Sequence, residues 1–360
     1  MPIYLDNAAT TRVCPEAAQA ALEAMTEGYG NPSSGYALGQ AAAAALKEHR
    51  AAVVSRLGCA PEELVFTSCG TEGDNWAVRA AAEYGRRKGR HIITTAIEHA
   101  AVLEPVKALA AQGYEVTYLK PDRSGHVSAD ALRAALRPDT VLVSMMLVNN
   151  ELGTLLPVAE AAQAIRDAAP ALLHCDAVQA FLKVPFTPAE LGVDLLTLSG
   201  HKIRAPKGIG VQYIRRGLNL RPLLTGGGQE GGLRPGTEPT AQAAALAAAC
   251  AAWQEDYPAR IQEVKEYALE SLSAVPGLEI ISRGTPPHLR RLPARLPQRN
   301  AGAGAVRPGV YVSSGSACHR GKPSHVFAAL GLPKRTLMGV LRVSFSPEST
   351  RADVDALAGD

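Results

Sequence analysis

Val193-Asp194-Leu195-Leu196-Thr197-Leu198-Ser199-Gly200-His201-Lys202 is a short apolar run that stops abruptly in a polar cluster. Leu195–Leu198 predicts a buried strand, and Ser199-Gly200-His201-Lys202 then lies at its carboxyl end. The same pattern recurs along the chain. Val65-Phe66-Thr67 runs into Ser68-Cys69-Gly70-Thr71-Glu72, Val141–Leu147 ends at Asn149-Asn150-Glu151, and Leu172–Cys175 ends at Asp176 with Gln179 three residues on. Further strands are predicted at Leu64–Thr67, His91–Thr95, Glu115–Leu119 and Gly210–Tyr213. Helices are predicted between them at Ala37–Leu57, Asn75–Lys88, Ala100–Gln112, Ala129–Leu136 and Val158–Ala168. Continuous apolar strands alternating with helices imply a mostly parallel sheet covered on both faces. Ligands in such sheets bind beyond the carboxyl ends of the strands, where these polar clusters fall.

Beyond Gly236 the pattern changes. A helical region from Pro239 to Ala274 is followed by a strand at Leu278–Ile281 and a Pro/Arg/Gly-rich tract from Arg283 to Gly309. Then come a strand-like Val310–Ser313, a helix at Ser324–Leu330 and a strand at Val340–Phe345. This predicts a second, smaller α+β domain. The 360 residues suffice for two or three domains, or one large α/β domain with an appendage.

The chain is 47% hydrophobic and 20% charged, as in an ordinary globular protein rather than a disordered one. No apolar run reaches the roughly 18 residues of a membrane span, and no secretory signal is expected at the N-terminus. The net charge of +3 is unevenly spread: Ile280–Pro347 holds nine Arg, two Lys and no acid, leaving 26 basic against 34 acidic residues elsewhere. Direct nucleic-acid coating is not expected from that balance. This stretch, with Arg290, Arg291 and Arg295, reads as a docking face for an acidic protein acceptor or as an anion site, with a solvated Arg-rich surface as the plainer alternative. The six cysteines contain no CxxC pair, so neither a zinc site nor a disulfide framework is indicated, and a reducing cytoplasm is expected. Cys59, Cys69 and Cys175 follow or end apolar runs and are expected in the core. Cys318 lies instead in a small-residue polar loop, with His319, Arg320 and Lys322 available to favour its thiolate.

The residue types at the strand ends suggest one chemistry. Gly70-Thr71 opens a helix whose first N–H groups suit a phosphate, and Ser199 and His201 add donors. Lys202 is a Schiff-base candidate, because a lysine at a buried strand end has a lowered pKa. Asp176 can hold a protonated pyridine nitrogen, and His99, after His91–Thr95, can stack on a flat ring. Together these are the requirements of pyridoxal 5'-phosphate. Each has a plainer reading when taken alone: Asp176 and His99 as helix starts, Lys202 as solvated surface, Gly70-Thr71 as an ordinary helix N-terminus.

The segments YLDNAATT (Tyr4–Thr11), GNPSS (Gly30–Ser34), FTSCGTEGDN (Phe66–Asn75), NNELGT (Asn149–Thr154), HCDAVQA (His174–Ala180), SGHK (Ser199–Lys202), GGGQEGGLRPGTE (Gly226–Glu238) and SSGSAC (Ser313–Cys318) occur in this order. With them the chain resembles the cysteine desulfurases of the nitrogenase/iron–sulfur-cluster type, in the class V aminotransferase-like family. The resemblance implies the type I (aspartate-aminotransferase-like) fold of pyridoxal-phosphate enzymes, with a seven-stranded sheet in a large domain at 12–250. The small domain joins 1–11 to 251–360. It further implies a cytoplasmic homodimer that takes L-cysteine and hands sulfur to an acceptor protein serving cluster assembly or tRNA thiolation. By position, Lys202 would hold the cofactor covalently, Asp176 would pair with the pyridine nitrogen, and His99 would stack on the ring. Asn150 and Gln179 would lie near the ring hydroxyl. Gly70, Thr71, Ser199 and His201 would take the phosphate, with Thr237 from the other subunit. Arg342, with Asn150 beside it, would hold the substrate carboxylate, and Cys318 would be the nucleophile and a possible transient iron–sulfur ligand. The alternatives are an aminotransferase, a selenocysteine lyase, or a catalytically weakened sulfur-relay homologue. The sequence departs from the family at Cys69, Arg204-Ala205, Pro235 and a shortened Leu292–Val312 tract, which predicts unusual packing in the small domain.

Overall fold

The structure, a computed structural model, describes residues 2–276, 278–282, 284, 288–293, 309–314, 324–337 and 340–358, with the side chains of 288–293, 314, 334 and 335 excluded. Cys318, its neighbours His319, Arg320 and Lys322, and Arg295 lie outside the described residues, as do the side chains of Arg290 and Arg291.

Seven strands form the main sheet in the spatial order Leu64–Thr67, Gly210–Ile214, Leu195–Ser199, Leu172–Asp176, Thr140–Ser144, His91–Thr95 and Glu115–Leu119. Only Gly210–Ile214 runs against its neighbours. The strand Leu195–Ser199 shows how the sequence sets the layers. Successive side chains alternate faces, so Leu196 and Leu198 enter one apolar core while Leu195 enters the other. Thr197 faces the helix Gly70–Gly85, which packs close because a Cβ on Gly73 would meet Thr197 Cγ2 at 2.7 Å. The expected strand Val141–Leu147 is Thr140–Ser144. Its continuation still bonds to the next strand, from Met145 N to His174 O and from Leu147 N to Asp176 O, both at 3.0 Å.

Two expectations need correction. The helical region Pro239–Ala274 is two helices, Thr240–Ala252 and Tyr257–Ser273. Trp253 turns extended (φ −72°, ψ 115°), and Pro258, which has no N–H to give a preceding turn, sits at the start of the second helix. Part of the tract expected to be irregular is a strand, His288–Pro293, antiparallel to Leu341–Ser344 and to Leu278–Glu279. Ser313–Ser314 pairs with the other side of Leu341–Ser344, giving a four-stranded antiparallel sheet. A third core, holding Leu5, Ile261, Leu272, Val343, Phe345 and Val354, lies under it. The departure at Arg204 has a local form: its backbone is left-handed at φ 68°, its N–H donates to Thr11 Oγ1 at 2.9 Å, and its guanidinium pairs with Glu348.

The N-terminal strap runs between the two sheets. Ile3–Tyr4 pairs with Val310–Tyr311, Asp6 bridges to Ser344, and Thr11 bonds to the His201 carbonyl. Among the described residues no helix is long and apolar enough to cross a membrane.

Candidate active site

A cavity of about 490 Å³ opens at the carboxyl ends of the parallel strands. It is lined by residues that follow Leu64–Thr67, His91–Thr95, Thr140–Ser144, Leu172–Asp176 and Leu195–Ser199, by Ala8 and Ala9 of the strap, and by Ser313 and Arg342 of the small sheet. The sequence-predicted residues Gly70, Thr71, His99, Asn150, Asp176, Gln179, Ser199, His201, Lys202 and Arg342 all line it. Thr237 is exposed and does not line this cavity.

At one wall, the helix Gly70–Gly85 begins after an extended Cys69 (φ −174°) and has no side-chain N-cap. Its first N–H groups and positive dipole end therefore remain available to an anion. Glu72 steadies the turn by accepting from Ser68 N at 2.7 Å while pairing with Arg234 at 3.0 Å. Cys69 itself is half-buried and lines the cavity, which corrects its expected place in the core; Cys175 is fully buried, as expected. Ser199 ends its strand beside this wall. His201 meets Thr10 Oγ1 through Nδ1 at 3.1 Å, and burial, aided by the Lys202 charge, depresses its pKa to about 4. The ring is therefore neutral near pH 7.

Asp176 is 6% exposed, and its Oδ1 accepts from Val178 N at 2.9 Å. Burial raises its pKa, while His99 and Lys202 pull it back. His99 is the N-cap of the helix Ala100–Ala110 as well as a cavity residue, so the plain and functional readings coexist. Its Nδ1 accepts from Ala101 N at 3.1 Å, which leaves the ring proton on Nε2. Burial again lowers its pKa, opposed by Asp176.

Lys202 sits in the short turn Gly200–Lys202, and its Nζ donates to the carbonyls of Ala8 and Ala9, each at 2.7 Å. Gln179 Nε2 donates to the same Ala8 carbonyl at 2.9 Å. Arg342 enters from the small sheet and donates to Asn150 O and to Asp6 Oδ1, both at 2.9 Å. Sequence reasoning assigned no roles to Asp6, Ala8 and Ala9, although YLDNAATT contains them. It also missed Asp74 and His325. Asp74 is a buried acid four residues into a helix, and His325 bonds through Nε2 to Glu98 O at 2.9 Å.

The donor set fits pyridoxal 5'-phosphate. Two buried cavity atoms, Asn150 Oδ1 and Arg342 Nε, have no hydrogen-bond partner among the described residues. Buried polar atoms are seldom left so, and a polar ligand satisfies them. An uncapped helix N-terminus for a phosphate, a buried carboxylate for a ring nitrogen and a lysine amine for a carbonyl occupy one enclosure.

The model of the aminotransferase class-V family matches residues 3–357. "Cysteine desulfurase 2" of Trichormus variabilis is 44% identical over 98% of this chain and 90% of its own length. A solved "NifS-like protein" superposes with a TM-score of 0.93 at 35% identity, covering 99% of this chain and 97% of its own. A structure described as "SspA in complex with cysteine" has a TM-score of 0.86 at 32% identity, covering 96% and 99%. Both the match along almost the whole chain and the cavity's fit to the cofactor place this protein in the pyridoxal-phosphate-dependent class V aminotransferase family, among its cysteine desulfurases.

Proposed function

We propose that this chain converts L-cysteine to L-alanine and keeps the sulfur as a persulfide on Cys318, for transfer to an acceptor protein. The observation that carries the reading is the convergence of Lys202, Asp176, His99 and Arg342 on one cavity that also has an uncapped helix N-terminus. The cysteine bound to a solved relative supports the substrate.

The residues divide the work by chemistry. Gly70, Thr71, Ser199 and His201 hold the cofactor phosphate, Asn150 and Gln179 its ring hydroxyl, and Lys202 its carbonyl carbon. When bound, the cofactor supplies an electron sink for negative charge at the substrate Cα, strengthened by the Asp176 carboxylate at the ring nitrogen. His99 covers the ring. Arg342 takes the substrate carboxylate through a planar fork of N–H donors. Lys202, once its amine is released, removes the Cα proton. The Cys318 thiolate then attacks the substrate sulfur. The C–S bond breaks with its electron pair left on the carbon side, a proton replaces sulfur on Cβ, a proton returns to Cα, and the products are alanine and the Cys318 persulfide.

The wider reading is a cytoplasmic homodimer with a large domain at 12–250 and a small domain of 1–11 and 251–360. Thr237, exposed on a Gly-rich loop, completes the partner's phosphate site. The acceptor serves iron–sulfur cluster assembly or tRNA thiolation, recruited by the acid-free stretch Ile280–Pro347. Borohydride treatment followed by peptide mapping tests the cofactor assignment. The label belongs on the peptide holding Lys202, and a label on any other lysine refutes it.

A further inference from the structure

We propose that Asp6 is a positioning residue that sets the site's selectivity for an α-carboxylate, by fixing the guanidinium of Arg342 from the N-terminal strap. The inference rests on the reading that Arg342 receives the substrate carboxylate.

The geometry is a clamp. Arg342 Nη2 donates to Asp6 Oδ1 and Nη1 to Asn150 O, both at 2.9 Å, with side-chain exposures of 7% for Arg342 and 19% for Asp6. Nε is buried and has no partner among the described residues. Two anchors on the terminal nitrogens fix the guanidinium plane, and Nε with the remaining Nη hydrogens is left for an incoming anion. Bidentate carboxylate binding depends on that plane being set beforehand.

Asp6 is itself held. Its backbone bridges to Ser344, two residues beyond Arg342 on the same strand. Next along the strap, Asn7 Nδ2 donates to Ser344 O at 3.0 Å and Ala8 N to Ser344 Oγ at 2.8 Å. The following carbonyls, of Ala8 and Ala9, receive Lys202 Nζ. One short piece of strap therefore contacts both the group that meets the substrate's carboxylate and the lysine assigned to the cofactor. Asp6 makes its contact through Arg342, so it positions rather than reacts.

L-Alanine and ethylamine share an amine and differ by a carboxylate, so their affinities for the holoenzyme, read from the cofactor absorbance, isolate this role. Wild type should bind L-alanine much more tightly than ethylamine. In Asp6→Asn the ratio should fall about tenfold, through weaker L-alanine binding with ethylamine unchanged. Asp6→Glu, which keeps the charge on a longer arm, should restore part of the ratio, and it reads the same quantity should Asp6→Asn fail to fold. Equal losses for both amines would make Asp6 a structural anchor only and overturn the proposal. A wild-type enzyme that does not discriminate between the two would refute the assignment of Arg342 itself.

Discussion

Glu230→Ala should destabilise the protein measurably although Glu230 lies outside the cavity. Glu230 belongs to the Gly-rich loop that leads to Thr237, and its side chain is 3% exposed. It accepts from Arg50 Nη1 at 3.0 Å, from Arg50 Nη2 at 2.6 Å and from Phe66 N at 2.8 Å. Truncation leaves the Phe66 N–H without this acceptor and the Arg50 charge without its counter-ion, with the Leu64 carbonyl and the Phe66 ring face as its remaining contacts among the described residues. Removing one partner of a buried pair costs about 3–5 kcal/mol. Arg50 is 16% exposed and keeps other contacts, which favours the lower end, about 3 kcal/mol. An unfolding entropy of about 2.1 cal/mol/K per residue gives roughly 0.76 kcal/mol per degree for 360 residues, so Tm should fall about 4 °C. The assay is thermal unfolding followed by circular dichroism at fixed, saturating cofactor, because ligand binding itself shifts Tm. Glu230 also holds a left-handed backbone at φ 49°. Glycine takes that conformation without strain, so Glu230→Gly should lose about 1 kcal/mol less than Glu230→Ala. A fall under about 1 °C for Glu230→Ala, or strict additivity with Arg50→Ala, would refute the reasoning.

Gly70→Ala should weaken cofactor affinity about tenfold and cost the apoprotein about 1–3 kcal/mol, because its methyl would meet Val178 Cγ2 at 2.9 Å on the cavity wall; equilibrium dialysis with pyridoxal phosphate checks the first and urea unfolding of the apoprotein the second. The Glu98 carboxyl is pushed up to about 8 by burial, so the folded state holds its proton more tightly than the unfolded chain does. Its contribution is full below the unfolded value near 4.5 and is lost as pH rises through about 8. Glu98→Gln, which mimics the protonated acid, should therefore gain on wild type in urea midpoint across that window; a gap that does not change with pH would remove Glu98 as its source.

The large sheet was legible because six of its seven strands are buried along their whole length and read as mainly apolar runs, the exception being the edge strand Glu115–Leu119. The polar clusters at their ends were legible for the same reason: a charge gains nothing from following a buried strand unless a ligand or partner meets it. The strand His288–Pro293 was hidden because HLRRLP has no apolar alternation and ends in Pro; its pairing with Leu341–Ser344 is supplied by tertiary context. The strap's role was also hidden. Ala8 and Ala9 act through backbone carbonyls, which carry no side-chain signature, and Asp6 meets a residue 336 positions away. Cys69 reads as an apolar strand-end residue, but the helix that begins at Gly70 turns it toward the cavity.

The central claim is that sulfur leaves cysteine by way of Cys318. The direct measurement incubates the purified holoenzyme with L-cysteine and a thiol reductant and quantifies alanine and sulfide together, for wild type and for Cys318→Ala. Wild type should release the two in equal amounts. Cys318→Ala should fold, bind the cofactor and change its spectrum with cysteine, yet form almost no alanine, because a methyl group cannot accept the sulfur. Alanine formed by Cys318→Ala at the wild-type rate would contradict the account and assign the chain to lyases that expel sulfur without a covalent acceptor.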